Sequence, residues 1–142
     1  MMWQSLSVCA LLFVGVSSTV YDVCTLYNNL ENANLDGFRG YTLEDYLCLV
    51  AHASEFKTTM QVSPSDYGLF QISSSWWCDD EKTVGCKNMC GVKCQALLDD
   101  DISDDINCFA RMLNDPNGIE AWEPWKKYCE GNDLTGYSKN CY

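Results

Sequence analysis

Ten cysteines in a chain of 142 residues constrain this sequence more than any other feature. Thiols at that density belong to an oxidising compartment, where a small domain is stapled by disulfides. Cys9 lies in the apolar run 8–16, which is followed by Ser17, Ser18 and Thr19. An apolar stretch with small residues behind it reads as a secretory leader, although Met1 to Ser5 carry no Lys or Arg. Residues 1–18 are therefore expected to be a signal peptide, and 19–142 one secreted domain. The run is too short to span a bilayer, and no other segment is long enough.

Loss of the leader leaves Cys24, Cys48, Cys78, Cys86, Cys90, Cys94, Cys108, Cys129 and Cys141. That number is odd, so four disulfides and one leftover thiol are expected, and spacing alone does not choose the pairing. Cys86, Cys90 and Cys94 would share one face of a helix, which suggests a metal cluster. In an oxidising compartment disulfide partnership is expected instead. His52 is the only histidine, which excludes a His-rich zinc site.

Charge narrows the partners. The chain has 9 basic against 20 acidic residues, a net charge of -11, so it repels nucleic acids and acidic membrane surfaces. A composition of 47% hydrophobic and 13% aromatic residues excludes a disordered tail.

Thr42-Leu43-Glu44-Asp45 reads as a capped helix start, and Leu43, Leu47 and Val50 continue it at helical spacing, predicting a helix over 43–55. Cys24 to Leu30 predicts a shorter helix. Segments 58–62 and 66–72 flank Ser63-Pro64-Ser65, the pattern of a small antiparallel hairpin. Ser103 reads as the cap of a helix that turns Ile106, Phe109, Ala110 and Leu113 inward. Asp115-Pro116-Asn117-Gly118 would end it, and Ile119 to Tyr128 would form a last short helix. The expected class is α+β, mostly helical with a small sheet.

Asp99, Asp100, Asp101, Asp104 and Asp105 put five carboxylates into seven residues. Two carboxylates about 5 Å apart repel by about 1–3 kcal/mol, so a tight turn here is unfavourable without a neutralising cation. Hard oxygen ligands suit Ca²⁺. The run is not an EF-hand, because it lacks the Gly and Glu of that loop. The plainer reading is an acidic helix N-terminus, which accounts for Asp104 and Asp105 but not for the other three.

Asp66-Tyr67-Gly68-Leu69-Phe70-Gln71-Ile72-Ser73 followed by Trp76-Trp77-Cys78 resembles the c-type lysozyme and α-lactalbumin superfamily. Gly40-Tyr41-Thr42-Leu43, Ala96-Leu97-Leu98-Asp99 and Asn117-Gly118-Ile119-Glu120-Ala121-Trp122 carry the resemblance across the mature chain. It implies a lysozyme-like fold with a helical lobe, a small sheet lobe and a cleft between them. It also implies the pairings Cys24–Cys141, Cys48–Cys129, Cys78–Cys94 and Cys90–Cys108, with Cys86 left over. A monomer is expected unless Cys86 cross-links two molecules.

Retaining glycosidases of this type need one carboxyl kept protonated and a second, ionised one. The resemblance assigns the ionised one to Asp66 and puts Ala53 at the acid position. Glu55 lies two residues on, about 200° round the helix, and leaves the opposite face. The expectation is a non-catalytic protein. The alternative is a lysozyme with weak or altered activity on the β-1,4 bonds of peptidoglycan, using Asp66 with Glu55 or water.

For Ca²⁺, the resemblance implies the carboxylates of Asp99, Asp104 and Asp105 and the carbonyls of Ala96 and Asp101, with Asp100 outside the ligand set. For sugars, it implies Gln71, Trp76, Trp77, Asp115, Asn117 and Trp122, so an oligosaccharide or glycoprotein is an expected partner. The α-lactalbumin branch implies a galactosyltransferase partner. Only His52 survives from that contact set, since Ala51 stands for a Phe and Tyr137 for a Trp.

Overall fold

A computed structural model of the chain describes residues 19–142. The expected leader, residues 1–18, lies outside the described residues. Four α-helices carry the larger lobe: α1 (Val23–Asn32), α2 (Leu43–Ser54), α3 (Ser103–Leu113) and α4 (Glu123–Tyr128). Each starts for a local reason. Asp22, extended, accepts the Thr25 amide at 2.9 Å and caps α1, so this helix begins and ends beyond the predicted 24–30. Thr42 and Asp45 form a reciprocal capping box on α2. That helix stops at Ser54, one residue short of the expected 55, because Glu55 and Phe56 both take left-handed backbone (φ 55° and 61°).

Three predicted features are corrected. Ser103 is the first residue of α3, not its cap; Ile102 precedes it, and the Ser103 amide donates to Asp101 Oδ1 at 3.1 Å. Ile119 to Tyr128 is not one helix. A 3₁₀ turn over Gly118–Ala121 is separated from α4 by extended Trp122, with Pro124 in the first turn of α4.

The hairpin also differs. It pairs β1 (Asp66–Tyr67) with β2 (Ile72–Ser73), Asp66 opposite Ser73 and Tyr67 opposite Ile72, so the chain reverses at 68–71 and not at Ser63-Pro64-Ser65. Residues 58–62 form no strand. They are tied instead by Gln71, whose Nε2 donates to the Met60 and Gly68 carbonyls while its Oε1 accepts the Val62 amide. A second, parallel pair, β3 (Cys78–Asp79) with β4 (Val92–Lys93), had no signal in the alternation of residues.

The core runs between the lobes. Phe70 from the hairpin turn stacks on Phe109 of α3 with centroids 4.2 Å apart, and Phe109 meets Tyr46 and Trp122 edge-on. Trp122 Nε1 donates to the Phe70 carbonyl at 2.7 Å, a polar stitch through an otherwise apolar seam. Four disulfides close the domain: Cys24–Cys141, Cys48–Cys129, Cys78–Cys94 and Cys90–Cys108. All four are those the resemblance implied. Among the described residues Cys86 has no disulfide partner, and it is half-buried. Among the described residues no helix is long and apolar enough to cross a membrane.

Candidate functional site: a cleft and an acidic loop

The cleft between the lobes holds two adjoining hollows that share Ala121. The first, about 300 Å³, is lined by His52 and Ala53 from α2, Asp66 and Gln71 from the hairpin, Val62, and the 121–124 segment. The second, about 430 Å³, is lined by Trp76, Trp77, Met89, Asp115 and Asn117. Every residue expected to touch sugar therefore reaches one of two neighbouring hollows. Their chemistry is unequal. Trp76 is 56% exposed, with Lys87 Nζ 5.8 Å from its ring centroid. Trp122 is 6% exposed and spends its N–H on Phe70, so it serves the wall. Gln71 has both its amide nitrogen and its oxygen bonded within the loop. It shapes the cleft by holding 60–62 in place.

The floor of the first hollow decides what chemistry it can do. Ala53 is 6% exposed and lines it together with Asp66. Asp66 is half-buried and accepts a hydrogen bond from Ser63 Oγ at 2.7 Å. Glu55 is not in the hollow: its left-handed backbone turns the side chain outward, where it pairs with Lys57 Nζ at 3.1 Å. One further carboxylate lines the hollow, Glu123, in the first turn of α4 and exposed. Sequence reasoning missed it, because its place depends on the break at Trp122 that no periodicity announced.

His52 stands at the rim. Its ring stacks on Tyr128 with centroids 4.3 Å apart, and its Nε2 lies 3.3 Å from the Tyr137 hydroxyl.

Across the hairpin from the cleft lies the acidic loop. Asp99 Oδ1 accepts the Asp101 amide at 3.1 Å, and Asp101 in turn takes hydrogen bonds from Ser103, which lower its pKa. Asp100 has a structural task that the sequence left unassigned: it accepts from Thr58 Oγ1 at 2.9 Å and Thr19 Oγ1 at 3.3 Å, tying the loop to the start of the domain. Asp105 differs from the rest. It is 1% exposed, on the inward face of α3, and its Oδ1 has no hydrogen-bond partner. Burial pushes its pKa up to about 8, and the negative charges of Asp99, Asp104 and Asp101 add to that push, against a smaller lowering by its own backbone amide. Among the described residues no three His, Cys, Asp or Glu side chains are grouped closely enough to hold a metal ion as they stand. The donor set nevertheless suits a hard cation. A buried carboxylate oxygen without a donor is costly, and an oxygen-rich loop is where such an ion is held.

A sequence model described as the C-type lysozyme/alpha-lactalbumin family matches residues 19–141. The chain is 41% identical to Lysozyme C-1 of Rattus norvegicus over 136 residues, 92% of each chain. It is 41% identical to Lysozyme C-2 of Sus scrofa over 134 residues, again 92% of each. It is 44% identical to Lysozyme C of Bufo gargarizans andrewsi over 126 residues, 85% of this chain and 86% of the relative.

Proposed function

Because the chain belongs to the C-type lysozyme/alpha-lactalbumin family, we propose that it is a secreted, calcium-binding protein whose cleft holds the glycan of an oligosaccharide or glycoprotein without cutting it. What carries this reading is the floor of the cleft. Ala53, which the family likeness puts at the proton donor's position, lines the same hollow as Asp66, and Glu55 is turned out to Lys57. Losing a general acid costs about 10²–10⁴ in rate. The net charge of -11 adds a second obstacle, since bacterial walls are anionic.

The remaining residues suit holding rather than cutting. The exposed ring of Trp76 and the half-exposed ring of Trp77 offer apolar faces to sugar C–H surfaces, and Asp115 and Asn117 offer polar atoms beside them. Asp66 provides a carboxylate that accepts sugar hydroxyls. In the acidic loop, the carboxylates of Asp99, Asp104 and Asp105 and the carbonyls of Ala96 and Asp101 would hold Ca²⁺. When bound, the ion supplies the positive charge that lets Asp105 stay ionised in its buried place. Disulfides at four sites suit life outside the cell.

A glycan array probed with and without Ca²⁺ tests the binding role, and a bacterial-wall turbidity assay tests hydrolysis. Lysis within a few-hundredfold of an ordinary lytic relative would overturn the non-hydrolytic reading. That outcome belongs to the alternative, a lysozyme acting on β-1,4 bonds of peptidoglycan, which the lysozyme names of the relatives favour. A galactosyltransferase partner is tested by the transferase's KM for glucose, and an unchanged value removes it.

A further inference from the structure

We infer that the cleft selects a cationic saccharide, an oligomer of glucosamine units whose amines carry no acetyl group, and that Glu123 sets this preference. The inference rests on the reading that the cleft binds sugar. Asp66 and Glu123 both line the first hollow, and Asp115 lines the second next to it. Neither Asp66 nor Glu123 is matched by a base. Among the described residues the ion pairs involve Lys57 and Lys93 only, and both lie outside the cleft lining. Asp66 takes its one side-chain hydrogen bond from Ser63, a neutral donor.

Of the basic groups near the cleft, Lys127 lies over the Tyr128 ring at 5.2 Å, and Lys126, one turn along α4 from Glu123, forms no ion pair with it. His52 is the one titratable base lining the first hollow, and its ring is held by Tyr128 and Tyr137. Arg39 donates to the carbonyls of Asp115 and Asn114, and Lys87 sits over Trp76 at the far hollow. The first hollow therefore presents two unpaired carboxylates beside apolar walls from Ala53, Val62 and Pro124. Low-dielectric walls concentrate such a field, so an ammonium group on the sugar is attracted while a carboxylate-bearing sugar is repelled. The amide of an acetylated unit carries no charge and gains no ionic attraction from either residue.

The test compares the affinity of the full mature chain for tetraglucosamine and for its fully N-acetylated counterpart. It is run at low and high ionic strength, at a pH where the amines are protonated. Tetraglucosamine is expected to bind about tenfold tighter at low salt, with the ratio shrinking towards one at high salt. Glu123→Gln is expected to narrow the low-salt ratio and Glu123→Lys to invert it, with melting curves reporting that both variants fold. Equal binding of the two sugars, tighter binding of the acetylated one, or a ratio that survives Glu123→Lys overturns the inference and leaves sugar binding standing. If neither tetramer binds, the saccharide-binding reading itself falls.

Discussion

Gly68 lies directly against the carboxylate of Asp105: a β-carbon on Gly68 would stand 2.8 Å from Asp105 Oδ2 and would overlap the Leu97 carbonyl oxygen. The hairpin that brings Asp66 to the cleft thus rests on the buried acid of α3, with no side chain between them. Gly68 also has φ +78°, where a β-carbon is strained whatever the space. Gly68→Ala is therefore expected to cost more than about 2 kcal/mol, read from denaturant melts. Gly131→Ala is the control, since Gly131 shares the φ of +78° with nothing within 4 Å, and its expected cost is about 1 kcal/mol. Equal costs for the two would show that the close approach to Asp105 does not matter.

Removal of calcium should loosen the fold. A cation present at 100 times its Kd contributes about 2.7 kcal/mol, so chelation with EGTA should lower Tm by on the order of 10 °C. Asp105→Asn should abolish that response, because the amide keeps the shape of the buried side chain while losing its charge. A calcium response that persists in Asp105→Asn would remove Asp105 from the ligand set.

A carboxyl placed at position 53 gives the sharpest check on the cleft. Ala53→Glu would place a carboxyl on the buried floor beside Asp66. Wall lysis is expected to rise by about 10²–10⁴ over the parent protein. A folded variant that remains silent would show that the groove cannot seat a wall polymer even with an acid in place.

Cys86 is half-buried and outside all four disulfides. A thiol reagent should label one group per folded mature molecule without denaturant. Cys86→Ser should leave stability within about 0.5 kcal/mol of the parent, as for other surface changes. A doubled mass on non-reducing analysis that vanishes in Cys86→Ser would instead reveal a cross-linked dimer.

Much of the helical lobe was legible because its signals are local. The Thr42–Asp45 box and the spacing of Leu43, Leu47 and Val50 suffice for α2. The sheet lobe was less so. Its strands are two residues long, too short for alternation to register, and residues 60–62 are held by the Gln71 side chain rather than by strand pairing. Ser103 looked like a cap because it precedes two acids, but Asp101 two residues earlier provides the acceptor. In the site, Ala53 and Asp66 were legible through family likeness. Glu123 was not, since its entry into the cleft follows from extended backbone at Trp122. Asp100 shows the same lesson in reverse: its partners Thr19 and Thr58 are remote in sequence, so only the folded chain reveals its task.

The nesting of the disulfides bears on how this molecule meets proteases. The stretch 81–87, largely exposed and with Val84 98% exposed, lies inside the rings closed by Cys24–Cys141, Cys48–Cys129 and Cys78–Cys94. A single backbone cut there would yield two fragments that cannot diffuse apart, because three covalent staples still join them. Digestion there would thus leave a nicked but whole particle, a form of endurance suited to enzyme-rich surroundings.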